Sequence, residues 1–551
     1  MGLIIRICST ALVGMLATTP AFPQKSVSTP LTAYVQGRAA EAEGKPSAAA
    51  LAYANALSVE PKNAALAVRA YRQAMSAGNR ALALRAARAL EAGGSLTADV
   101  RVLLYLDAID RSDWRGARLV IDAIEEQASF DFLVPTLRAW VSFAARDGDA
   151  LQPLMKRSKS NLTELYSREH RTLIMAALKQ MPQALAAVNE VAGNDQRGIS
   201  LRLAVAAQMV GAKDRTSALA VLNAPNAVLV TARARVERGE ALPDDVATIQ
   251  QASGILFARI AADLLQDNAP APALTLARLA IFAAPTRDES KLTLAQALTA
   301  AKREGEALEI LTTINKQSAI AGIVRNARLS TLISADRMGE ALETAKVASV
   351  SPQADFADFL RLGEIYSQLS NHAQAASAYE RAIALAAASN TDGPALWGLW
   401  LRFGGALDRA GDWKRAKPAL ERAVALAPGQ ASALNHLGYA MLERGDDLAT
   451  ATRFIARASA LSPDDAQITD SLGWALFKQN QIAEAIGVLE RAVAKEPREA
   501  AIGEHLGDAY WSAGRRVDAR YAWGAALTQA ETSDATRIQS KITNGPPPAA
   551  Q

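Results

Sequence analysis

The chain has 551 residues, half of them hydrophobic and only 5% aromatic, and it contains one cysteine. Its 60 basic and 56 acidic residues leave a net charge of +4 and are interspersed, which argues against a broad nucleic-acid-binding surface. A single cysteine excludes an internal disulfide framework. Abundant alanine and the absence of alternating strand patterns predict an all-α fold.

The first segment of the chain has the pattern of a secretory signal. Arg6 is followed by an apolar run over residues 7–17 and by small residues that indicate cleavage after Ala21. The run is too short to span a bilayer, and Cys8 lies too early to be a lipidation site. The alternative, a buried first helix, is disfavoured by the prolines that follow the run. We therefore predict a signal peptide at 1–21 and a periplasmic protein that associates with the envelope at most peripherally.

From residue 22 onward, small and aromatic residues recur at the spacing of helical hairpins. Residues 22–155 are predicted to form N-terminal repeats on the pattern of Gly37, Ala49, Tyr53, Ala56, Pro61, Ala83, Ala87, Tyr105, Ala117 and Ile121. Residues 156–350 are predicted to form degenerate repeats on the pattern of Ala261, Ala273, Ala277, Ala280, Pro285, Ala307 and Ala341. The repeat register stays unassigned between about 150 and 250.

Regular repeats are predicted over residues 351–531. Glycines recur there at steps of 34, 35 and 34 residues, and two series of alanines keep the same step: Gly404, Gly438, Gly473 and Gly507; Ala416, Ala451, Ala485 and Ala519; Ala423, Ala458, Ala492 and Ala526. Small residues allow two antiparallel helices to approach closely, and a period of about 34 residues is typical of the tetratricopeptide (TPR) repeat. The sequence therefore predicts a right-handed superhelical solenoid of roughly a dozen TPR-type helix-turn-helix repeats.

The last part of the chain carries two further features. Residues 532–551 end in a Pro-rich stretch and are predicted to be a disordered tail. Arg515, Arg516 and Arg520 form a dense basic cluster at the last hairpin turn. We favour a solvated turn with local ion pairs over a contact to phosphate or anionic lipid.

No pattern indicates an enzyme. The four histidines lack a second histidine or a cysteine at metal-ligand spacing, and no phosphate-binding loop or nucleophile elbow is present. We predict no catalytic residue, no metal site and no cofactor.

The better candidate site is a groove for partner proteins. In a TPR superhelix, the first helix of each hairpin lines the concave surface through repeat positions 2, 5, 9, 12 and 13, where the repeat glycine is position 8. The residues at the corresponding positions are Asp408, Arg409, Asn435, Tyr439, Glu443, Asp470, Trp474, Phe477, Lys478, Glu504, Asp508 and Trp511. Aromatic residues bordered by charges are the composition of an interface core, although some of these rings would instead pack against adjacent repeats.

Three segments of the C-terminal repeats are more specific than the general repeat pattern. They read Leu-Asn-His-Leu-Gly-Tyr at 434–439, Asp-Ser-Leu-Gly-Trp-Ala-Leu at 470–476 and His-Leu-Gly-Asp-Ala-Tyr-Trp at 505–511. They resemble exported TPR proteins of proteobacteria, over about residues 355–530. The chain is also similar to the outer-membrane TPR lipoproteins that bind a periplasmic carboxyl-terminal processing protease and present cell-wall hydrolases to it. It differs from them in having no lipidation cysteine.

The resemblance implies a non-enzymatic scaffold or adaptor in the bacterial envelope, whose groove binds extended or helical segments of proteins such as a periplasmic protease or cell-wall hydrolases. The alternative is a structural component of an envelope assembly, in polysaccharide export or pilus biogenesis, that uses the convex face or the ends of the solenoid. An enzyme with a site at about 150–250 is a third, disfavoured hypothesis.

Overall fold

The computed structural model describes residues 29–546, except 95, 157, 159, 194, 225, 243–245, 352–353 and 389–392. The predicted signal peptide lies outside the described residues. Helices dominate the described residues and no strand occurs among them, which confirms the predicted all-α fold.

The helices pack into two compact units, an N-terminal unit that extends to Val324 and a C-terminal unit that begins at Arg325. The boundaries that we predicted near residues 155 and 350 mark changes in how regular the repeats are along the sequence. They stay predictions.

The N-terminal unit consists of successive helices joined by short turns. They are α1 (Pro30–Ala42), α2 (Pro46–Val59), α3 (Ala64–Ala77), α4 (Arg80–Ala92), α5 (Ala98–Asp110), α6 (Trp114–Gln127), α7 (Val134–Ala145), α8 (Gln152–Met155), α9 (Asn161–Ala177), α10 (Met181–Val191), α11 (Gln196–Gly211), α12 (Arg215–Val221), α13 (Ala227–Glu237), α14 (Ile249–Gln266), α15 (Pro270–Ala283), α16 (Asp288–Ala300) and α17 (Glu304–Thr312), with a 3-10 turn at Asp131–Leu133.

Two helices of this unit fold back onto its earlier hairpins. Helix α14 contacts α5, α7 and α9, and α15 contacts α3 and α5, all of which are first helices of hairpins. At this contact the Tyr166 hydroxyl donates to Asp263 at 2.5 Å, and an Arg278 guanidinium nitrogen donates to the Ser76 carbonyl at 3.0 Å. The chain itself therefore covers the first helices that would line an open groove here.

The C-terminal unit is a regular stack. Its helices are α18 (Ala321–Ser334, which begins before the division), α19 (Met338–Ser349), α20 (Phe356–Gln368), α21 (His372–Ala388), α22 (Trp397–Arg409), α23 (Trp413–Leu426), α24 (Ala431–Glu443), α25 (Leu448–Leu461), α26 (Ala466–Lys478), α27 (Ile482–Lys495), α28 (Ala500–Ser512), α29 (Arg516–Leu527) and α30 (Thr532–Asn544), with a 3-10 turn at Pro394–Leu396.

The repeat glycines of this unit lie where the two helices of a hairpin cross. A Cβ atom at Gly404 would lie 2.7 Å from Leu420 Cγ, and one at Gly473 would lie 2.6 Å from Leu489 Cγ. Both distances are shorter than van der Waals contact, so only glycine allows this packing. The structure confirms that the glycine period marks helix crossings.

The prediction of a disordered tail from residue 532 is wrong for Thr532–Asn544, which form α30. Ile538 of this helix is fully buried in a cluster with Ala519, Trp523 and Ala526. The prediction gave weight to the polar composition and the prolines. The helix nevertheless forms because two apolar side chains, Ile538 and Ile542, and two basic side chains pack on the last hairpin.

Candidate functional site

A cleft of about 610 Å³ runs along the first helices of four successive hairpins in the C-terminal unit. These helices, α22, α24, α26 and α28, contact one another in order. Each is antiparallel to the second helix of its hairpin, so all four point the same way and each rim of the cleft collects one kind of helix end. The lining residues that carry polar groups are Asp408, Arg409, Ser432, Asn435, His436, Tyr439, Glu443, Arg444, Asp465, Gln467, Asp470, Ser471, Glu499 and His505.

The structure brings one group of the predicted site residues together in this cleft. Asp408, Arg409, Asn435, Tyr439, Glu443 and Asp470 all line it. Whether they bind a partner stays a prediction. The remaining predicted residues do not line the cleft: Trp474, Phe477, Lys478, Glu504, Asp508 and Trp511.

Trp474 is 9% exposed and packs between neighbouring repeats. Its ring stacks on Phe477 at 4.8 Å and on His505 at 4.1 Å, centroid to centroid. The indole N–H donates to Glu443 Oε1 at 2.7 Å, and the Lys478 ammonium lies 4.9 Å from the ring centroid. These contacts correspond to the packing alternative, because the ring offers little surface to a ligand.

Helix α30 covers the predicted groove residues of the last hairpin. Lys541 Nζ lies 2.6 Å from both Glu504 Oε1 and Asp508 Oδ2, and Arg537 also pairs with Glu504. Burial raises the pKa of the Asp508 carboxyl, an effect that the Lys541 ammonium opposes. Two predicted groove acids are therefore neutralised within the chain.

Trp511 and the basic cluster belong to the same end of the unit. The Trp511 ring lies 5.4 Å from Trp523, with the Arg516 guanidinium 3.9 Å and the Arg520 guanidinium 5.4 Å from its centroid. Arg515 pairs with Asp518 at 2.6 Å. The cluster thus makes the local contacts that we favoured from the sequence.

Inside the cleft, several charged groups are already paired between neighbouring repeats. Asp408 accepts the Arg444 guanidinium at 2.5 Å, and Asp470 contacts His505 Nδ1 at 2.9 Å. Burial lowers the pKa of His436, so this side chain is neutral near pH 7. These pairs fix the first helices relative to one another and give the cleft a defined shape.

Sequence reasoning missed the rim made by the N-terminal ends of the first helices. Ser432, Gln467 and Ala501 occupy the second position of three successive repeats, and all three line the cleft. Asp465 and Glu499 lie directly before α26 and α28 on the same rim. The signal that could have found this rim is the second repeat position. It is one of the positions that line the groove in a TPR superhelix, but none of the residues that we predicted for the site occupies it.

Sequence comparison decides the class of these repeats. Residues 401–466 and 471–535 match a sequence profile described as tetratricopeptide repeat, and residues 359–389 match a second profile of the same description. The matched segments are TPR repeats. The cleft is thus built by TPR hairpins, and repeats of this class are generally non-catalytic interaction scaffolds.

Solved TPR structures are similar to parts of the chain. YrrB is described as a TPR protein with an unusual peptide-binding site. It is 16% identical to this chain, with a TM-score of 0.28, and the alignment covers 36% of this chain and 99% of YrrB. A thermophilic TPR protein of Thermus thermophilus is 23% identical, with a TM-score of 0.30, over 34% of this chain and 99% of its own.

The anaphase-promoting-complex hetero-tetramer Cut9–Hcn1 gives a longer alignment. It is 14% identical, with a TM-score of 0.36, over 94% of this chain and 99% of its own. No curated protein sequence is significantly similar to this chain.

The described residues were also compared with the requirements of a membrane span and of a metal site. Among the helices that the structure describes, none has the length and apolar character needed to cross a bilayer. The same part of the chain holds no group of three or more His, Cys, Asp or Glu side chains arranged to bind a metal ion.

Proposed function

We propose that this chain is a non-enzymatic scaffold that binds a segment of a partner protein in the TPR cleft of its C-terminal unit. The single observation that carries the proposal is the cleft itself, which spans four first helices and is left open by the described part of the chain. In the N-terminal unit, by contrast, α14 and α15 cover the equivalent helices.

The size and lining of the cleft favour a peptide segment over a small molecule. A cleft of about 610 Å³ that extends over several repeats matches an extended or helical segment. Its walls combine exposed polar side chains, such as those of Ser432 and Gln467, with the half-buried apolar side chain of Leu401. Such a surface supports hydrogen bonds to a peptide backbone together with pockets for side chains.

The cellular setting is a proposal that rests on sequence alone. The signal pattern at residues 1–21 supports export to the periplasm, and the resemblance to exported proteobacterial TPR proteins supports an adaptor role toward a periplasmic protease or cell-wall hydrolases. A structural role in an envelope assembly is the second candidate, and it would use surfaces other than the cleft.

Site-specific photo-crosslinking tests the proposal directly. A photoreactive amino acid replaces exposed Gln467 in the cleft or, as the matched control, exposed Arg457 on the second helix α25. Crosslinking in the native cell envelope is followed by identification of the adducts and of the crosslinked peptide. We expect a defined partner segment at position 467 that is absent at 457.

The structural role would be favoured if the same proteins crosslink at both positions. It would also be favoured if a large complex is captured from position 457 alone. A Gln467→Arg variant, which fills the cleft from an exposed position, supplies an independent readout. It should abolish recovery of the partner without changing the helical circular dichroism of the chain.

A further inference from the structure

We infer that the cleft selects a segment rich in lysine or arginine; this inference rests on the proposed function and names the class of partner. Five carboxylates line the cleft, Asp408, Glu443, Asp465, Asp470 and Glu499, against two guanidinium groups, Arg409 and Arg444. The five carboxylates therefore outnumber the guanidinium and imidazole groups of the lining taken together, and the cleft would attract a positively charged segment.

The carboxylates differ in how far the chain itself has already paired them. Asp408 and Asp470 are bound by Arg444 and His505. Glu443 gives one oxygen to the Trp474 indole and remains exposed. The carboxylates that can still accept a cation are therefore mainly Glu443 and those on the opposite rim of the cleft.

Among the residues that line the cleft, the opposite rim carries two exposed carboxylates and no basic side chain; the nearby Lys495 ammonium is bound by the Pro463 carbonyl. Asp465 accepts a hydrogen bond from Ile468 N with Oδ1 at 3.0 Å, as the cap of α26, and its second oxygen is not used in that bond. Glu499 precedes α28 and makes no ion pair in the part of the chain that the structure describes. The rim thus offers acceptors for ammonium or guanidinium groups one repeat apart.

The partially positive N-termini of α26 and α28 lie beside these two carboxylates and weaken the field at the rim, by roughly half a charge for each helix. The opposite ends of the helices carry the compensating negative charge on the other rim. The helix dipoles therefore cancel across the cleft as a whole, and the excess of carboxylates remains.

The chain already shows how this face receives a basic helix. Arg537 and Lys541, one helical turn apart on α30, pair with Glu504 and Asp508 on the first helix of the last hairpin. These acids occupy the fifth and ninth repeat positions, which in the preceding repeats are Asn435 with Tyr439 and Asp470 with Trp474. In the cleft these two positions hold one acid, Asp470, so a basic segment there would pair with the open acids at other positions, Glu443, Asp465 and Glu499.

The charge of the second helices points the same way. The five second helices α21, α23, α25, α27 and α29 carry 11 basic and 5 acidic residues, whereas the first helices α20, α22, α24, α26 and α28 carry 4 basic and 7 acidic residues. The first helices, four of which build the cleft, are therefore net acidic, whereas the second helices are net basic.

The test uses the full chain and three fluorescent peptides of equal length that carry lysine, glutamine or glutamate at the same positions. A cleft variant, Asp465→Asn with Glu499→Gln, is compared with a matched control, Asp464→Asn with Glu496→Gln. Asp464 and Glu496 are exposed carboxylates close to the cleft residues in sequence but do not line the cleft. Asn still caps α26, so the cleft variant keeps its fold.

We expect the lysine peptide to bind most tightly, and its affinity to fall roughly tenfold in the cleft variant, since each exposed charge pair is worth about 0.5–1 kcal/mol. The control variant should bind as the unmodified chain does. Binding should also weaken with added salt.

Equal losses in both variants would show unspecific attraction to surface charge and overturn the inference. So would tighter binding of the glutamine or glutamate peptide. If the tighter-binding glutamine or glutamate peptide crosslinks at position 467, the cleft binds peptides with another specificity, and the proposed function stands. If none of the three peptides crosslinks there and the envelope experiment yields no partner segment, both proposals fail.

Discussion

At the scale of single residues, glycines of the same hairpin are placed for different reasons. Gly473 faces Leu489, whose side chain is fully buried and has no room to move. Gly487, in the middle of α27, has open space where a Cβ would be. The first glycine is required by packing and the second is not, although both stand in helices.

We therefore expect opposite effects from the same substitution. Gly473→Ala should lower the free energy of unfolding by about 1–3 kcal/mol through overpacking. Gly487→Ala should raise it by up to about 1 kcal/mol, because alanine has the higher helix propensity. Urea unfolding followed by circular dichroism measures both. A stabilised Gly473→Ala would mean that the two helices can separate without loss.

His170 is a fully buried residue. From the sequence, we rejected it as a metal ligand and assigned it no other role. Its Nδ1 accepts the Trp140 indole N–H at 2.9 Å, and its Nε2 has no hydrogen-bond partner in the described part of the chain. Burial lowers the pKa of His170 to about 3, with added repulsion from the Arg259 and Arg197 guanidinium groups. The folded chain therefore holds this imidazole neutral.

This burial makes stability depend on pH. The unfolded chain binds a proton near the ordinary histidine pKa of about 6.5, and the folded chain does so only near 3, so the stabilising contribution is present above about pH 6.5 and is lost as the pH falls. From about pH 7 to about pH 5, the loss should be about 2 kcal/mol.

The His170→Gln variant keeps an acceptor for Trp140 but has no titrating group. It should show a correspondingly smaller loss of stability in urea unfolding at the two pH values. Parallel losses in variant and unmodified chain would assign the acid sensitivity to other groups.

At the scale of elements, the period of small residues was enough to place most hairpins of the C-terminal unit. Each small residue reports a contact within its own hairpin or with the next one, so the information is local. Helix α30 shows where this stops, because only two apolar positions, Ile538 and Ile542, and two basic side chains distinguish it from a solvated tail.

The predicted aromatic stripe shows the same limit for the site. A residue at a groove position such as Trp474 can be buried by the side chain of the next repeat, here His505, and periodicity does not distinguish the two outcomes. Polar character does not decide the outcome either, since Arg409 and Asn435 line the cleft whereas Glu504 and Asp508 are buried under α30.

The pairs that α30 makes predict a large effect of one lysine. Lys541→Met leaves Asp508 without its cation in a site where both Glu504 and Asp508 are buried. Breaking a buried ion pair from one side costs about 3–5 kcal/mol, and Arg537 offsets part of this at Glu504. We expect a loss of about 2–4 kcal/mol in unfolding free energy.

Lys414→Met is the matched control, since Lys414 is exposed on α23 and makes no ion pair in the described structure. Its effect should stay within about 0.5 kcal/mol. If the two variants melt alike, α30 does not contribute to the stability of the stack.

At the scale of the whole molecule, the two units use the same hairpin differently. The contacts by which α14 and α15 cover earlier first helices join residues far apart in the chain, such as Tyr105 with Ser253 at 3.5 Å. A repeat period describes neighbours about 34 residues apart and contains no information on such pairs. Periodicity therefore could not predict that α14 and α15 cover first helices of the N-terminal unit, whereas the first helices of the C-terminal unit form the cleft.

A stack in which each repeat contacts its neighbours should be separable where those contacts are few. The C-terminal unit begins inside α18, and the cleft residues lie between Leu401 and His505, well within it. A fragment from Ala321 to the C-terminus, which keeps α18 whole, is therefore expected to show helical circular dichroism and cooperative unfolding. It should bind the lysine peptide within about twofold of the full chain, because no residue of the cleft is removed. A folded fragment that binds more than about tenfold weaker would place part of the recognition surface in the N-terminal unit, and an unfolded one would show that the C-terminal stack depends on that unit for its stability.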